Sequence, residues 1–307
     1  MTTHLTPGTS VTVEVPATSA NLGPGFDAFG LAFDWREQIE LAVVEHGFHL
    51  DVSGEGAEAI PRDETHLIIR SALTGLADLG LDTPGLSLRC HNTIPHGRGL
   101  GSSSAAIVAG LAAAASLAGR PLDPAWLLRH ANAIEGHPDN VAAAIHGGFV
   151  VAFEGRDGVS VAEARIDPRI GAVIFVADTP VATHAARGLL PDSVPHDEAA
   201  ANSGRSALLV HALATDPALL FDGTRDWLHQ GYRSPAMPRS YELVKSLRSK
   251  GCAAVISGAG PSVAVLGTPD QLAGLEDEPV TGFHARRVGV GGPVSVSAGT
   301  SAELPAR

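Results

Sequence analysis

Val11, Val13 and Val15 alternate with polar neighbours. That two-residue period predicts a strand with one buried face. The period fails from Pro16 to Gly30. There P-A-T-S-A-N-L-G-P-G-F-D-A-F-G sets Gly23, Pro24 and Gly25 in a row, so the stretch reads as a loop or strained turn. Ile39–Val44 and Phe48–Val52 read as a strand pair turning near Gly47. Thr65 stands as an N-cap before Leu67, Ile68, Leu73 and Leu76, which are spaced for a helix. Leu86–Cys90 is strand-like. The run Ala105–Ala118 is apolar on every side but short and alanine-rich, which predicts a buried helix rather than a membrane span. Asp123 and Pro124 cap and open a helix to about Glu135. Gly136-His-Pro-Asp-Asn140 interrupts it, Val141–His146 resumes as a short helix, and Phe149–Phe153 is a strand after Gly147 and Gly148.

A second region starts near Asp167. Ala172–Ala177 is a compact apolar strand, and Asn202–Leu213 and Tyr241–Ser249 are helical. Ala253–Ile256 and Val263–Leu266 are strands flanking Ser257-Gly-Ala-Gly-Pro-Ser262. The stretch 182–202 lacks periodicity and reads as a loop, and a disordered tail is expected over 298–307. Strands and helices alternate irregularly, so the fold class is α+β rather than a doubly wound sheet. A chain of 307 residues fits two domains, divided as 1–165 and 166–307.

The net charge of −12, with no basic run, argues against nucleic acid and acidic membrane surfaces as partners. Lys245 and Lys250 are the only lysines, so an anion clamp must use arginine, backbone N–H groups or metal. Cys90 and Cys252 are isolated, and the fourteen histidines form no ligand spacing. The polar start Met1–Ser10 carries no apolar signal core, and the expected compartment is the cytoplasm.

The richest chemistry lies in Pro95-His-Gly-Arg-Gly-Leu-Gly-Ser-Ser-Ser-Ala-Ala106, a glycine-rich loop emptying into a helix. Glycines let backbone N–H groups crowd an anion, and the helix start adds partial positive charge. No Gly-Lys-Ser/Thr follows, so this is not a P-loop, and the dinucleotide fingerprint is missing too. Glycine loops recur at Pro16–Gly30 and Ser257–Ser262. Composition alone does not say that the three converge.

P-x-x-x-G-L-G-S-S-S-A-A resembles the central motif of the GHMP kinases. S-A-N-L-G-P-G-F-D-A-F-G-L, E-G-H-P-D-N-V-A-A-A-I-H-G-G, A-A-A-N-S-G-R-S-A-L-L and H-Q-G-Y-R-S-P are similar to the homoserine kinase branch, and S-G-A-G-P-S to the family's third motif. The resemblance spans about Val11 to Leu266. It implies an N-terminal ATP-binding domain with a left-handed β-α-β crossover and a ferredoxin-like C-terminal domain. It also implies MgATP-dependent phosphorylation of the L-homoserine side-chain hydroxyl, feeding threonine biosynthesis. Another small acceptor, such as mevalonate or a sugar, is the nearest alternative; a silent nucleotide-binding protein on the same fold is a more distant one. The family often forms homodimers.

The resemblance also implies roles. ATP would lie on Pro95, His96, Gly97, Arg98, Gly99, Leu100, Gly101, Ser102, Ser103, Ser104 and Ala105. Mg²⁺ would lie on Ser103 and Glu135, since hard oxygens suit it. Homoserine would meet Asn21, Asp27, His137, Arg187 and Arg233, the arginines holding its carboxylate. Asn140 and Thr183 would orient its hydroxyl, with Asp139 supporting or capping. Read singly these residues are ordinary: Asn21 and Asp27 suit turns, Glu135 a solvated helix end, and Arg98 and Arg187 a charged surface.

Overall fold

The computed structural model describes residues 3–181 and 186–299. In chain order the elements begin with β1 (Thr3–His4), β2 (Ser10–Asn21), β3 (Gly25–Val43), β4 (Gly47–Gly54), α1 (Leu67–Asp78), β5 (Leu81–Asp82) and β6 (Gly85–Asn92). Next come α2 (Ser102–Leu117), α3 (Pro124–Glu135), α4 (Pro138–His146), β7 (Phe149–Gly155), β8 (Gly158–Ala164) and β9 (Gly171–Ala177). The rest are α5 (His196–Ala214), α6 (Leu220–Gly223), α7 (Gln230–Arg233), α8 (Pro238–Ser249), β10 (Ala253–Ile256), β11 (Val263–Gly267), β12 (Phe283–Gly289) and β13 (Ser295–Ala298).

Two large sheets divide the chain, beside a separate parallel pair of β1 and β5. The first has seven strands, ordered β13-β2-β3-β6-β4, with β7 on β3 and β8 on β7. The second is antiparallel, ordered β10-β11-β9-β12. Each sheet has its own core, and the larger core also gathers Ala172, Val255 and Leu266 from the second sheet. The expected α+β class holds. The last strand, β13, returns to the first sheet beside β2.

Helix α2 is the pivot. Twelve of its sixteen residues are buried, which explains its lack of a polar face. Its small side chains admit close neighbours: a Cβ at Gly110 would stand 2.4 Å from the Ile68 carbonyl oxygen of α1. No helix among the described residues is long and apolar enough to cross a membrane.

Four expectations are corrected. Pro16–Gly30 is no loop: β2 and β3 run through it and turn only at 22–24. The alternation vanishes because residues 16–25 are buried on both faces, and register shifts at Pro16/Thr18 and Ala20/Asn21 disturb the pleat. Strands β3 and β4 do not pair; β6 lies between them, antiparallel to β3 and parallel to β4. His66, not Thr65, caps α1, accepting from Ile68 N, while Thr65 bonds Asp63. The aperiodic stretch ends early, since α5 begins at His196 with Asp197 and Glu198 favouring its positive end.

Candidate active site

The loop before α2 is shaped by its carbonyls. Gly97, Gly99 and Gly101 hold φ of 66°, 72° and 68°, left-handed values that cost glycine little. Six successive carbonyls are turned outward and satisfied. His96 O accepts from Arg98 Nη1 at 3.0 Å, Gly97 O from Val181 N at 3.1 Å, and Arg98 O from Ser262 N at 3.3 Å. Gly99 O accepts from Ser257 Oγ at 2.6 Å, Leu100 O from Thr18 N at 3.0 Å, and Gly101 O from Ala105 N at 2.8 Å. The N–H groups from Gly97 to Ser104 find no protein acceptor among the described residues. Gly101 caps α2 without a side chain, so those donors and the positive helix end stay available to an anion.

The three glycine loops therefore converge. Besides the bonds above, Ser257 Oγ meets Ser19 Oγ at 2.8 Å, Gly258 N donates to Ala20 O at 3.1 Å, and Asn21 Nδ2 donates to Gly258 O at 2.9 Å. At Gly101 a Cβ would sit 1.9 Å from Thr18 Oγ1, so no larger residue fits.

A cavity of about 460 Å³ opens on this loop. It is lined by Gly97–Ser103, by Glu135 and His137, and by Asn21, Asp27, Asp139, Asn140, Arg187 and Arg233. Of the expected nucleotide set, Pro95, Ser104 and Ala105 do not line it. Proline has no N–H to offer, and Ala105 N is already donated to Gly101 O. Leu100 contributes backbone only, its side chain being buried in the core. Thr183 lies outside the described residues.

At the helix start, Ser103 Oγ and Ser104 Oγ donate to Glu135 Oε1 at 2.6 and 3.0 Å. Across the cavity Arg187 grips Asp27 with both Nη atoms, at 3.0 and 2.7 Å. Asp27 takes a φ of 54°, and its N–H is held by Asn21 Oδ1 at 2.9 Å. Arg233 is buried over the Phe26 ring, 5.0 Å from its centroid, with Nε unpartnered. Burial and then Arg187 pull the Arg233 guanidinium below its usual range. Asp27, Asp226 and Asp139 pull the Arg233 guanidinium the other way; two guanidiniums close to Asp27 suit a carboxylate ligand.

Asp139 lies in the first turn of α4 and is 4% exposed. Its Oδ1 accepts from Asn140 N at 2.7 Å and Nδ2 at 3.3 Å. Burial lifts its pKa to about 7, against the pull of the Asn140 amide. Asn140 Oδ1 in turn accepts from Thr18 Oγ1 at 2.8 Å, and Thr18 N donates to Leu100 O of the glycine loop. His137 stands half-buried at the N-cap of the same helix and makes no side-chain cap bond.

The family model for the GHMP kinases N terminal domain matches residues 66–148, and that for the GHMP kinases C terminal matches 207–278. The chain is 51% identical to a homoserine kinase of Streptomyces coelicolor over 92% of each chain. The chain belongs to the GHMP kinase family. A homoserine kinase of Corynebacterium diphtheriae is 44% identical to this GHMP kinase over 96% of the chain and 99% of the relative. Among solved structures, the homoserine kinase of Cytophaga hutchinsonii superposes with a TM-score of 0.80 at 28% identity, covering 94% of this chain and 97% of that one. A mevalonate kinase of L. major, at 15% identity and TM-score 0.68, shares the fold.

Sequence reasoning missed several parts of this GHMP kinase's cavity. It is also lined by Ile60, Pro61, His66, Leu67 and Asn92, none of which sits in a glycine motif. Burial first, then His96 and Arg62, hold His66 below the usual imidazole range. The ring is thus neutral, and the bond from Ile68 N to Nδ1 leaves its proton on Nε2. Glu37, buried under the loop, accepts from Thr93 N and Ile94 N at 3.1 and 3.3 Å and so fixes the exit of β6. Buried His229 donates from Nε2 to Gly23 O at 2.8 Å and stacks on Phe26, bracing the β2–β3 turn. The H-Q-G-Y-R-S-P run was its signal.

Proposed function

We propose that this GHMP kinase transfers the terminal phosphoryl group of ATP to the side-chain hydroxyl of L-homoserine. One observation carries the reading: a single cavity is lined both by the glycine loop, whose N–H groups find no acceptor among the described residues, and by the Asp27, Arg187 and Arg233 cluster. Phosphoryl transfer requires little covalent chemistry from the protein; it requires placement and charge stabilisation. The Gly97–Ser104 amides receive the polyphosphate, and the α2 terminus offsets its charge. The neutral His66 ring, with Ile60, Pro61 and Leu67, makes an apolar slot with one donor, fitted to a nucleobase.

Ser103 and Glu135 offer hydroxyl and carboxylate oxygens on one spot, a set suited to Mg²⁺ completed by phosphate oxygens and water. The ion would supply charge neutralisation there. Homoserine, a zwitterion, places its ammonium against Asp27 and its carboxylate between Arg187 and Arg233. Asn21 fixes the backbone that presents Asp27. Asn140 orients the acceptor hydroxyl, and Asp139 holds Asn140. A loose transition state tolerates late proton loss, so no strong base is required. The proposed division is a nucleotide unit over 1–165 and a second unit over 166–307; the partition of strands between the two large sheets supports it except at β13, which pairs with β2 of the first.

A coupled ADP assay with L-homoserine, L-threonine, L-serine, mevalonate and galactose tests the reading. Turnover is expected with homoserine well above the others. Turnover with mevalonate and none with homoserine refutes it, because mevalonate has no ammonium for Asp27.

A further inference from the structure

The Arg98 side chain is oriented toward protein, not toward the anion cradle it sits in. Its Nε donates to Ala177 O at 2.6 Å, Nη2 to Asp178 O at 2.6 Å, and Nη1 to His96 O at 3.0 Å. Three of the five N–H groups of the guanidinium are thereby spent on carbonyls. Ala177 ends β9 in the second sheet, whereas His96 and Arg98 belong to the loop before α2 in the first unit. Val181 N to Gly97 O adds a second tie between the same two segments. The chain that leaves β9 at Asp178 leads on to Arg187, which grips Asp27.

We propose that Arg98 is a positioning residue for the transfer step: it bolts the phosphate loop to the end of β9, setting the distance between the nucleotide's terminal phosphorus and the acceptor held by Arg187. It does not bind phosphate through its charge. Only a planar fork spans three carbonyls on two segments; a lysine ammonium is a point donor on a different reach. Reacting atoms must stand about 3–3.5 Å apart, and a shift near 1 Å costs on the order of a hundredfold.

The inference rests on the homoserine kinase reading, and wild-type enzyme run in parallel separates the two. If wild type itself lacks turnover with homoserine, the functional reading fails; if only the pattern below fails, the role of Arg98 does. Arg98→Lys, Arg98→Gln and Arg98→Met are compared for kcat, for direct binding of ATP, and for the ratio of ADP formed to phosphorylated acceptor formed. All three variants, lysine included, are expected to lose about thirty- to a hundredfold in kcat. ATP affinity should stay within about threefold, and the ADP-to-product ratio should rise above one as water competes for a misplaced phosphoryl group. A merely structural role leaves that ratio at one. Lysine restoring ATP affinity and turnover that methionine loses overturns the proposal in favour of a phosphate contact. Wild-type behaviour in all three variants overturns it as well, and so does loss of folded protein in all three, since Arg98 would then serve stability.

Discussion

Replacing Asp139 by asparagine isolates the cost of a buried carboxyl at the centre of the site. The folded pKa of about 7 stands against an ordinary 3.8. The folded state therefore keeps a proton that the unfolded chain has already released between those values. Stability falls as pH rises through that window and levels off above pH ~7. A shift of about three units corresponds to about 4 kcal/mol, developed in full near pH 8 and only to about 1.5 kcal/mol near pH 5. Asparagine matches the shape and its Oδ1 can still accept both bonds from Asn140, so Asp139→Asn removes the charge penalty. Urea unfolding of wild type and variant at about pH 5 and pH 8 should show a variant advantage about 2–3 kcal/mol larger at the higher pH. A pH-independent difference would falsify the raised pKa and, with it, the claim that burial dominates. The same variant tests the chemistry: a positioning role predicts a loss in kcat below about tenfold, whereas a loss of three or more orders with ATP binding intact makes Asp139 the base.

Arg233→Leu should raise the homoserine KM about 10- to 100-fold and the ATP KM little, because a charge-assisted carboxylate contact goes with it; equal effects on both substrates would contradict its assigned place. Ser103→Ala should raise the Mg²⁺ concentration needed for half-maximal turnover, and an unchanged magnesium titration would remove Ser103 from the ion's shell. Gly101→Ala brings a methyl within 1.9 Å of Thr18 Oγ1; the loop must shift, and ATP binding measured directly should weaken at least about tenfold. Gly110→Val forces α2 away from the Ile68 carbonyl and should cost about 1–3 kcal/mol in denaturant unfolding, with wild-type stability contradicting the tight helix contact.

The glycine turn of the site was legible in the chain because glycine, serine and proline in fixed order constrain backbone geometry locally, whereas Asn21, Asp27, Glu135, Arg187 and Arg233 were expected only from the family resemblance. Gly97, Gly99 and Gly101 must open the turn, and an uncapped start to α2 must leave donors free. The periodic segments were legible for the same local reason: Asp123-Pro124 caps α3 as its side-chain chemistry dictates. Segments buried on both faces were not, since residues 16–25 of β2 and β3 lose alternation when neither face meets water. Nor was the β3–β6–β4 order, because strand neighbours are chosen by long-range packing rather than by proximity along the chain.

The chain alone therefore dictated a glycine turn opening into an uncapped helix and an α+β class, both consequences of short-range backbone and side-chain chemistry, while the arginine clamp was expected only from the resemblance to the GHMP kinases. Only tertiary structure decided that the three glycine loops meet, that Arg98 is consumed by carbonyls of the other unit, and that Asp139 is buried enough to hold a proton near neutrality. Those outcomes depend on which distant groups share a low-dielectric interior, and neither spacing nor composition encodes distance in space.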